Sequence, residues 1–411
     1  MSRRATPVLL LALALGAMPQ SAVAAGEEPI RIGFLGPLTG IFASGGRDMQ
    51  EGLRLGLEQS GFRMGGRKVE LIEEDDEGSP PVALTKYRKL VTQDRIHALV
   101  GVQHSSIGYA LAPLIEHDRL PALYLAAPDD LTKRRPAKWI LRTTFSASQL
   151  MHPLGDYAYT ALGYRKIAAV AMDAAFGYEQ IGGFQRVFEE LGGKVTQKLW
   201  TPVTTLDYAA YITQLRRDVD AVLIVFPAGP AVRFVRQYQE YGLKDRIPLL
   251  ASGIVTDEVA LRQMGDEALG IVSSLNWSPL LASPVNESFV RAVESKYGKR
   301  PGTFHLAMYS AARWIAEAAR LVDGNVEDRE RFLTALRRAS ESLEDPRGPL
   351  KLDAYNNPTQ NVYILKLERV GGRLQNAVVH TYPTVSQFWR YTPEEFLKAP
   401  PYSRDHPATN P

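Results

Sequence analysis

The chain has 411 residues, 45% of them hydrophobic and 23% charged, a length that suits two ordinary domains and a composition usual for a globular protein. Its net charge is only +3 and no long basic run occurs, which argues against nucleic acid or an anionic membrane surface as partner. Cysteine is absent, so the core has to suffice without disulfides.

Residues 1–25 read as an export signal. Arg3 and Arg4 precede an apolar stretch from Val8 to Ala17, and Ala22-Val23-Ala24 supplies the small residues for cleavage after Ala24 or Ala25. Thr6 and Pro7 disfavour a twin-arginine signal. No later run reaches the roughly 20 apolar residues of a membrane span, so the mature protein is expected to be exported without direct membrane insertion.

Ile30 to Leu35 reads as a strand, followed by a turn at Gly36 to Gly40 and a helix near Gly46 to Ser60. In that helix Met49, Leu53 and Leu57 lie four apart, and Gly52 with Gly56 forms a smooth strip that predicts close packing on a sheet. The glycine spacing fits neither the dinucleotide fingerprint nor the phosphate-binding loop. Val69 to Glu74 is the next strand, ending in the acidic group Glu73 to Glu77. That group lacks the alternating ligands and distal glutamate of a calcium loop and reads as solvated charge. Ser79 and Pro80 then open a helix through Val91.

The most informative stretch runs from Ile96 to Leu114. Ala98 to Val102 is a short apolar run without a polar face, as in a strand covered on both sides. A turn at Gly101 to His104 leads to Ser105-Ser106, which open a segment with Ile107, Leu111, Leu114 and Ile115 at helical spacing. A hydroxyl where strand becomes helix has two uses. It caps its own helix, or it joins the free N–H groups and the positive helix end in holding a small anion such as a carboxylate.

Strands at Ala122 to Ala126 and Trp139 to Thr143 complete an alternating unit, which predicts a parallel sheet with a ligand crevice at the carboxyl ends of its strands. A second such unit runs from a helix at Leu150 to Leu162 through a strand at Gly270 to Leu275. From Pro284 three helices follow without a strand and are expected to return to an existing sheet. Late strands are predicted at Gly348 to Asp353 and Val362 to Glu368, and the Pro-rich tail from Pro400 has the composition of a mobile terminus. His97, His104 and His117 have no metal-site spacing, and neither G-x-S-x-G nor H-E-x-x-H occurs. No metal, no cofactor and no enzyme activity are expected.

The order I-R-I-G-F-L-G-P-L-T-G, V-E-L-I-E-E-D-D-E-G-S-P-P-V-A, A-L-V-G-V-Q-H-S-S, D-A-A-F-G-Y and P-G-T-F-H-L-A-M-Y-S-A resembles the type I periplasmic solute-binding proteins of the leucine/isoleucine/valine-binding family. The resemblance covers about residues 30 to 382. It implies an α/β fold of two doubly wound parallel-sheet lobes joined by a three-segment hinge, with closure on a small-molecule ligand. Lobe 1 is then 26–144 plus 276–347, lobe 2 is 145–275 plus 348–382, and 383–411 is a C-terminal extension. The implied role is periplasmic capture of an amino-acid-like or carboxylate-bearing solute, as a monomer, for the inner-membrane permease of an ABC importer. A ligand-sensing subunit of a membrane receptor is the alternative.

Carried over residue by residue, the resemblance puts the carboxylate anchor at Ser105, with Ser106 beside it, and aromatic contacts at Phe176 and Phe304. Ala127 stands where the family offers a threonine hydroxyl near the ligand's amino group, and Ala126 beside it is a further ligand-binding candidate. Gly45 replaces the first-loop aromatic, for which Phe42 is the substitute, and Asp257 is the acidic residue nearest to where an ammonium partner belongs. These departures predict that carboxylate recognition persists while amino recognition is weakened or absent, because a buried ammonium without an acceptor is costly. An organic acid, aromatic or not, or a related small polar metabolite is then as good a candidate as leucine.

Overall fold

A computed structural model describes residues 28–410, so the export signal and its cleavage site lie outside the described residues. The first alternating unit gives β1 (Ile30–Gly36), α1 (Ala43–Gln59), β2 (Arg63–Met64), β3 (Arg67–Asp75), α2 (Pro80–Thr92), β4 (Ala98–Gly101), α3 (Ser105–Asp118), β5 (Ala122–Tyr124) and β6 (Ile140–Arg142). They form a sheet in the order β2-β3-β1-β4-β5-β6, parallel except for the β2–β3 hairpin. Ile32, Phe34, Leu99, Val100 and Leu123 are fully buried. Helices cover both faces, which is why these strands are apolar runs instead of alternating ones.

The second unit comprises α4 (Met151–Thr160), β7 (Lys166–Met172), α5 (Ala175–Glu190), β8 (Lys194–Thr201), α6 (Ala209–Gln214), β9 (Ala221–Val225), α7 (Ala228–Glu240), β10 (Leu249–Ser252), α8 (Glu258–Leu261) and β11 (Val272–Leu275). Helices α9 (Pro284–Tyr297), α10 (Thr303–Leu321) and α11 (Arg329–Ser342) follow, and α10 packs along α1 of the first lobe. The chain then returns as β12 (Leu350–Leu352), β13 (Pro358–Val370) and β14 (Arg373–Val385). The second sheet has the order β12-β13-β11-β10-β9-β7-β8, with β14 paired to β13; its β7 to β11 core is parallel and β12 to β14 are antiparallel additions.

The chain therefore passes between the sheets three times, after β6, after β11 and after α11. Buried side chains tie the crossings together: Arg347 Nη1 donates to Thr143 O at 2.5 Å, and Asn276 Nδ2 donates to Gln360 Oε1 at 3.1 Å. Gln360 in turn donates to the carbonyl of Thr144. A hinge cross-bonded through buried polar groups specifies one path for three strands of chain, since each group left unpaired there would be penalised.

Three local expectations differ from what the fold contains. The Gly52–Gly56 strip of α1 faces helix α10, not a sheet. The acidic group that ends β3 is largely bonded or buried instead of merely solvated, with Glu77 alone left exposed. Glu74 accepts from Lys86 and Lys89 at 2.7 and 2.6 Å, and Asp75 accepts from Leu38 N at 2.8 Å, holding the β1 turn. Asp76 is fully buried, and burial pushes its carboxyl up to about 6. The C-terminal tail is packed, not loose. In α12 (Pro393–Lys398) Phe396 is buried with Lys133 Nζ 4.7 Å from its ring centre, Tyr402 fills the space beside Gly182, and Asn410 N donates to Val195 O at 3.0 Å.

Candidate functional site

The carboxyl ends of both sheets face one another across a cavity of about 120 Å³. One water needs roughly 10–15 Å³ measured this way, so the space suits a small organic molecule. At its centre lies the turn between β4 and α3. Val102 is held there at φ 54°, donating its N–H to Leu35 O at 2.7 Å and accepting from Ala126 N at 2.8 Å. A β-branched residue in the left-handed region is strained and persists only where neighbours over-determine it. The result is that Gln103, His104, Ser105 and Ser106 all line the cavity.

No side-chain hydrogen bond caps α3, so the capping use of serine is not the one adopted. The first intrahelical bond runs from Gly108 N to His104 O at 2.9 Å. The N–H groups of Ser105, Ser106 and Ile107 precede that ladder and carry the positive end of the helix dipole. Ser106 Oγ lies 2.8 Å from His104 Nδ1, and burial pushes the His104 imidazole down, toward its neutral form. The polar end of the cavity thus offers N–H and hydroxyl donors without a formal charge.

The remaining wall is apolar and comes from both lobes. Phe42 meets His104 edge-on at 5.0 Å, and Phe304, Phe145 and Phe176 line the cavity with it. Gly45 leaves no hole: a Cβ there would come within 2.6 Å of Phe304 and 3.0 Å of Gln103 Nε2, so these two side chains occupy the space. Met172, Ala174, Pro227, Ile254 and Val259 close the side belonging to the second lobe. Among the described residues that line the cavity there is no Asp, Glu, Lys or Arg.

Of the positions expected from the sequence, Ser105, Ser106, Phe42, Ala127, Phe176 and Phe304 meet at this cavity. Ala126 does not. Its methyl points toward Gly108 of α3, because Leu125, Ala126 and Ala127 follow an extended path whose side chains alternate. Gln103, His104, Phe145, Ile254 and Val259 were missed. Gln103 and His104 sit in the turn that pointed to Ser105, a usable signal, whereas the other three reach the cavity only through the packing of lobe on lobe.

Asp257 is buried behind the wall and is committed elsewhere, accepting from Val259 N at 3.1 Å and Thr303 N at 2.8 Å. The cluster Asp48, Glu51 and His305 has the ligand types of a metal site. However, Lys299 Nζ lies 2.8 Å from Asp48 and 2.9 Å from Glu51, and Arg262 pairs with Asp48 at 3.0 Å, so cationic side chains already balance the carboxylates. On the other flank of the cavity Tyr109 donates to Glu179 Oε1 at 3.0 Å. Burial and repulsion from Asp129 hold the Glu179 carboxyl well above its ordinary range.

Glu258 gives a pH test of this region. Burial, then repulsion from Asp257, pushes it up to about 7 against the pull of Arg300 and Arg262, and one of its carboxyl oxygens is buried without a partner. The folded protein therefore holds the proton more tightly than the unfolded chain, where a glutamate ionises near 4.5. Its favourable contribution is complete below that value and is lost as pH rises toward about 7. Glu258→Gln is expected to remove this slope and to be more stable than the parent at pH 8 by on the order of 2–3 kcal/mol, read by comparing Tm at pH 5 and pH 8.

The sequence profile of the periplasmic binding protein family matches residues 29–372. An ABC transporter substrate-binding protein from Sphaerobacter thermophilus superposes with a TM-score of 0.82 at 34% identity, covering 88% of this chain and 99% of that one. A solute-binding protein of an ABC transporter from Rhodopseudomonas palustris BisB5, solved with 3,4-dihydroxybenzoic acid, gives a TM-score of 0.81 at 29% identity, covering 87% and 98%. The Leu/Ile/Val-binding protein homolog 6 of Brucella melitensis biotype 1 is 24% identical over 384 residues, 91% of this chain and 96% of that protein. With two sheets facing one cavity at their carboxyl ends, and with the family profile spanning both, the chain belongs to the periplasmic binding protein family and is a solute-binding protein, not an enzyme.

Proposed function

We propose that this protein captures an aromatic carboxylate of the benzoate class between its lobes and delivers it to the permease of an ABC importer. The observation that carries this reading is the make-up of the cavity: a helix start with two serines at one end, phenylalanines around the rest, and no acidic side chain among the described lining residues. A carboxylate accepts the N–H groups and hydroxyls of Ser105 and Ser106, while an aromatic ring packs among Phe42, Phe145, Phe176 and Phe304. The ammonium of leucine has no carboxylate to meet, since Asp257 is engaged at α10, and leaving it bare in an apolar pocket disfavours amino acids. The relative solved with 3,4-dihydroxybenzoic acid supports the same class. The name of the Brucella relative favours a branched-chain amino acid instead.

A thermal-shift series separates the two readings. Benzoate, 4-hydroxybenzoate or 3,4-dihydroxybenzoate at a hundredfold excess over its Kd is expected to stabilise the protein by about 2.7 kcal/mol. Leucine, isoleucine and valine are expected to leave Tm unchanged. Stabilisation by leucine, with none by the aromatic acids, overturns the proposal.

A further inference from the structure

The segment from Asp257 to Arg262 belongs to the second lobe, yet both of its ends are bonded to the first. At one end the Asp257 carboxylate caps its own short helix α8 through Oδ1 and accepts from Thr303 N, at the start of α10, through Oδ2. Gly302 makes this approach possible, because a Cβ there would lie 2.3 Å from Asp257 Oδ1. At the other end the Arg262 guanidinium grips Asp48 of α1 with two bonds of 3.1 and 3.0 Å and donates to Arg300 O at 3.0 Å. Asp48 is almost fully buried while Arg262 reaches it from the solvent side, so the pair is shielded on the carboxylate side only. Between the two ends Val259 faces the cavity, and Phe304, next to Thr303, faces it from the opposite side.

We propose that Asp257 and Arg262 form a closure latch: bonds between lobes that hold the cleft shut over the solute and set how fast it leaves, without either side chain touching it. The proposal rests on the cavity being the solute site. Apart from the Asp257 Oδ1 cap, which lies within the second lobe, each bond joins residues on different lobes, exists only while the lobes are together and favours the closed form alone. A contact of that kind acts on affinity as a solute contact does, and it does so for every solute that fits. The two residues are positioning residues, acting through α10 and α1.

The test uses the full mature protein with 4-hydroxybenzoate as probe. Arg262→Gln and Asp257→Ala are expected to raise the dissociation rate, and with it Kd, at least about tenfold, with a much smaller change in the association rate. Asp328→Ala is the control. Asp328 also caps a helix, accepting from Arg331 N at 3.1 Å, but within the first lobe. It is expected to lower Tm and leave the dissociation rate unchanged. Dissociation rates of both latch variants within twofold of the parent overturn the latch. If 4-hydroxybenzoate does not bind the parent at all, the aromatic-acid reading falls, and solution scattering without solute decides the latch independently. The Arg262→Gln protein is then expected to be more extended than the parent, and superimposable curves overturn the proposal.

Discussion

The Ser105→Asp variant is expected to lose binding of benzoate-class acids by on the order of a thousandfold. Ser105 opens α3 and is 7% exposed at the cavity wall, so an added carboxylate has little water around it. Two unit charges about 4 Å apart at an effective dielectric of about 20 repel by about 4 kcal/mol, and every 1.4 kcal/mol is a factor of about ten. The fold is expected to survive, because an acidic residue in the first turn of a helix is favourable on its own account. Ser105→Ala removes the hydroxyl but leaves the N–H and the helix dipole. With about 1.5–3 kcal/mol for a hydrogen bond to a charged group, it is expected to weaken binding by roughly ten- to a hundredfold. Isothermal titration with 4-hydroxybenzoate, alongside a circular dichroism spectrum for each variant, measures both. Unchanged affinity in a folded Ser105→Asp protein would remove the helix start from the recognition site.

Patterns that depend on near neighbours were legible in the sequence. The apolar run before Gly101 and the helical spacing after Ser106 identify a strand-to-helix turn, and such a turn exposes amides whatever surrounds it. The alternating units likewise point to two sheets of the doubly wound kind. What was hidden depends on which surfaces meet. Nothing local to Phe145, Ile254 or Val259 places them at the cavity. Asp257 was the acidic residue nearest to the place of an ammonium partner, and nothing in the sequence shows that the approach of Gly302 and Thr303 from the other lobe commits it to α10. The tail misled for a similar reason. Its prolines describe a chain unable to form long elements, while Phe396 and Tyr402 find their sites on α5, where Gly182 leaves room and Arg186 lies 4.6 Å from the Phe396 ring.

The glycine strip of α1 shows the same limit and supplies the largest expected effect on stability. A smooth helix face announces a close neighbour without naming it, and that neighbour is the backbone of α10. A Cβ on Gly52 would lie 2.1 Å from His305 O and 2.7 Å from His305 C, and one on Gly56 would lie 2.5 Å from Ala312 Cβ. A main-chain carbonyl cannot rotate aside as a side chain can, so α10 has to move. It cannot move alone: Met308, Ala311, Ala312 and Ile315 are buried in the core of the first lobe, and Phe304 at its start lines the cavity. Gly52→Val is therefore expected to lower Tm by on the order of 10 °C, at or beyond the upper end of the roughly 1–3 kcal/mol usual for overpacking. Because Phe304 shifts with the helix, solute affinity is expected to fall too. Gly229 in α7 provides the contrast, since a Cβ there meets nothing within 4 Å. Gly229→Ala is expected to be neutral or to stabilise by up to about 1 kcal/mol, as alanine favours helix over glycine. Scanning calorimetry of the two variants separates the effects, and equal melting temperatures would show that α1 and α10 are not in contact at Gly52.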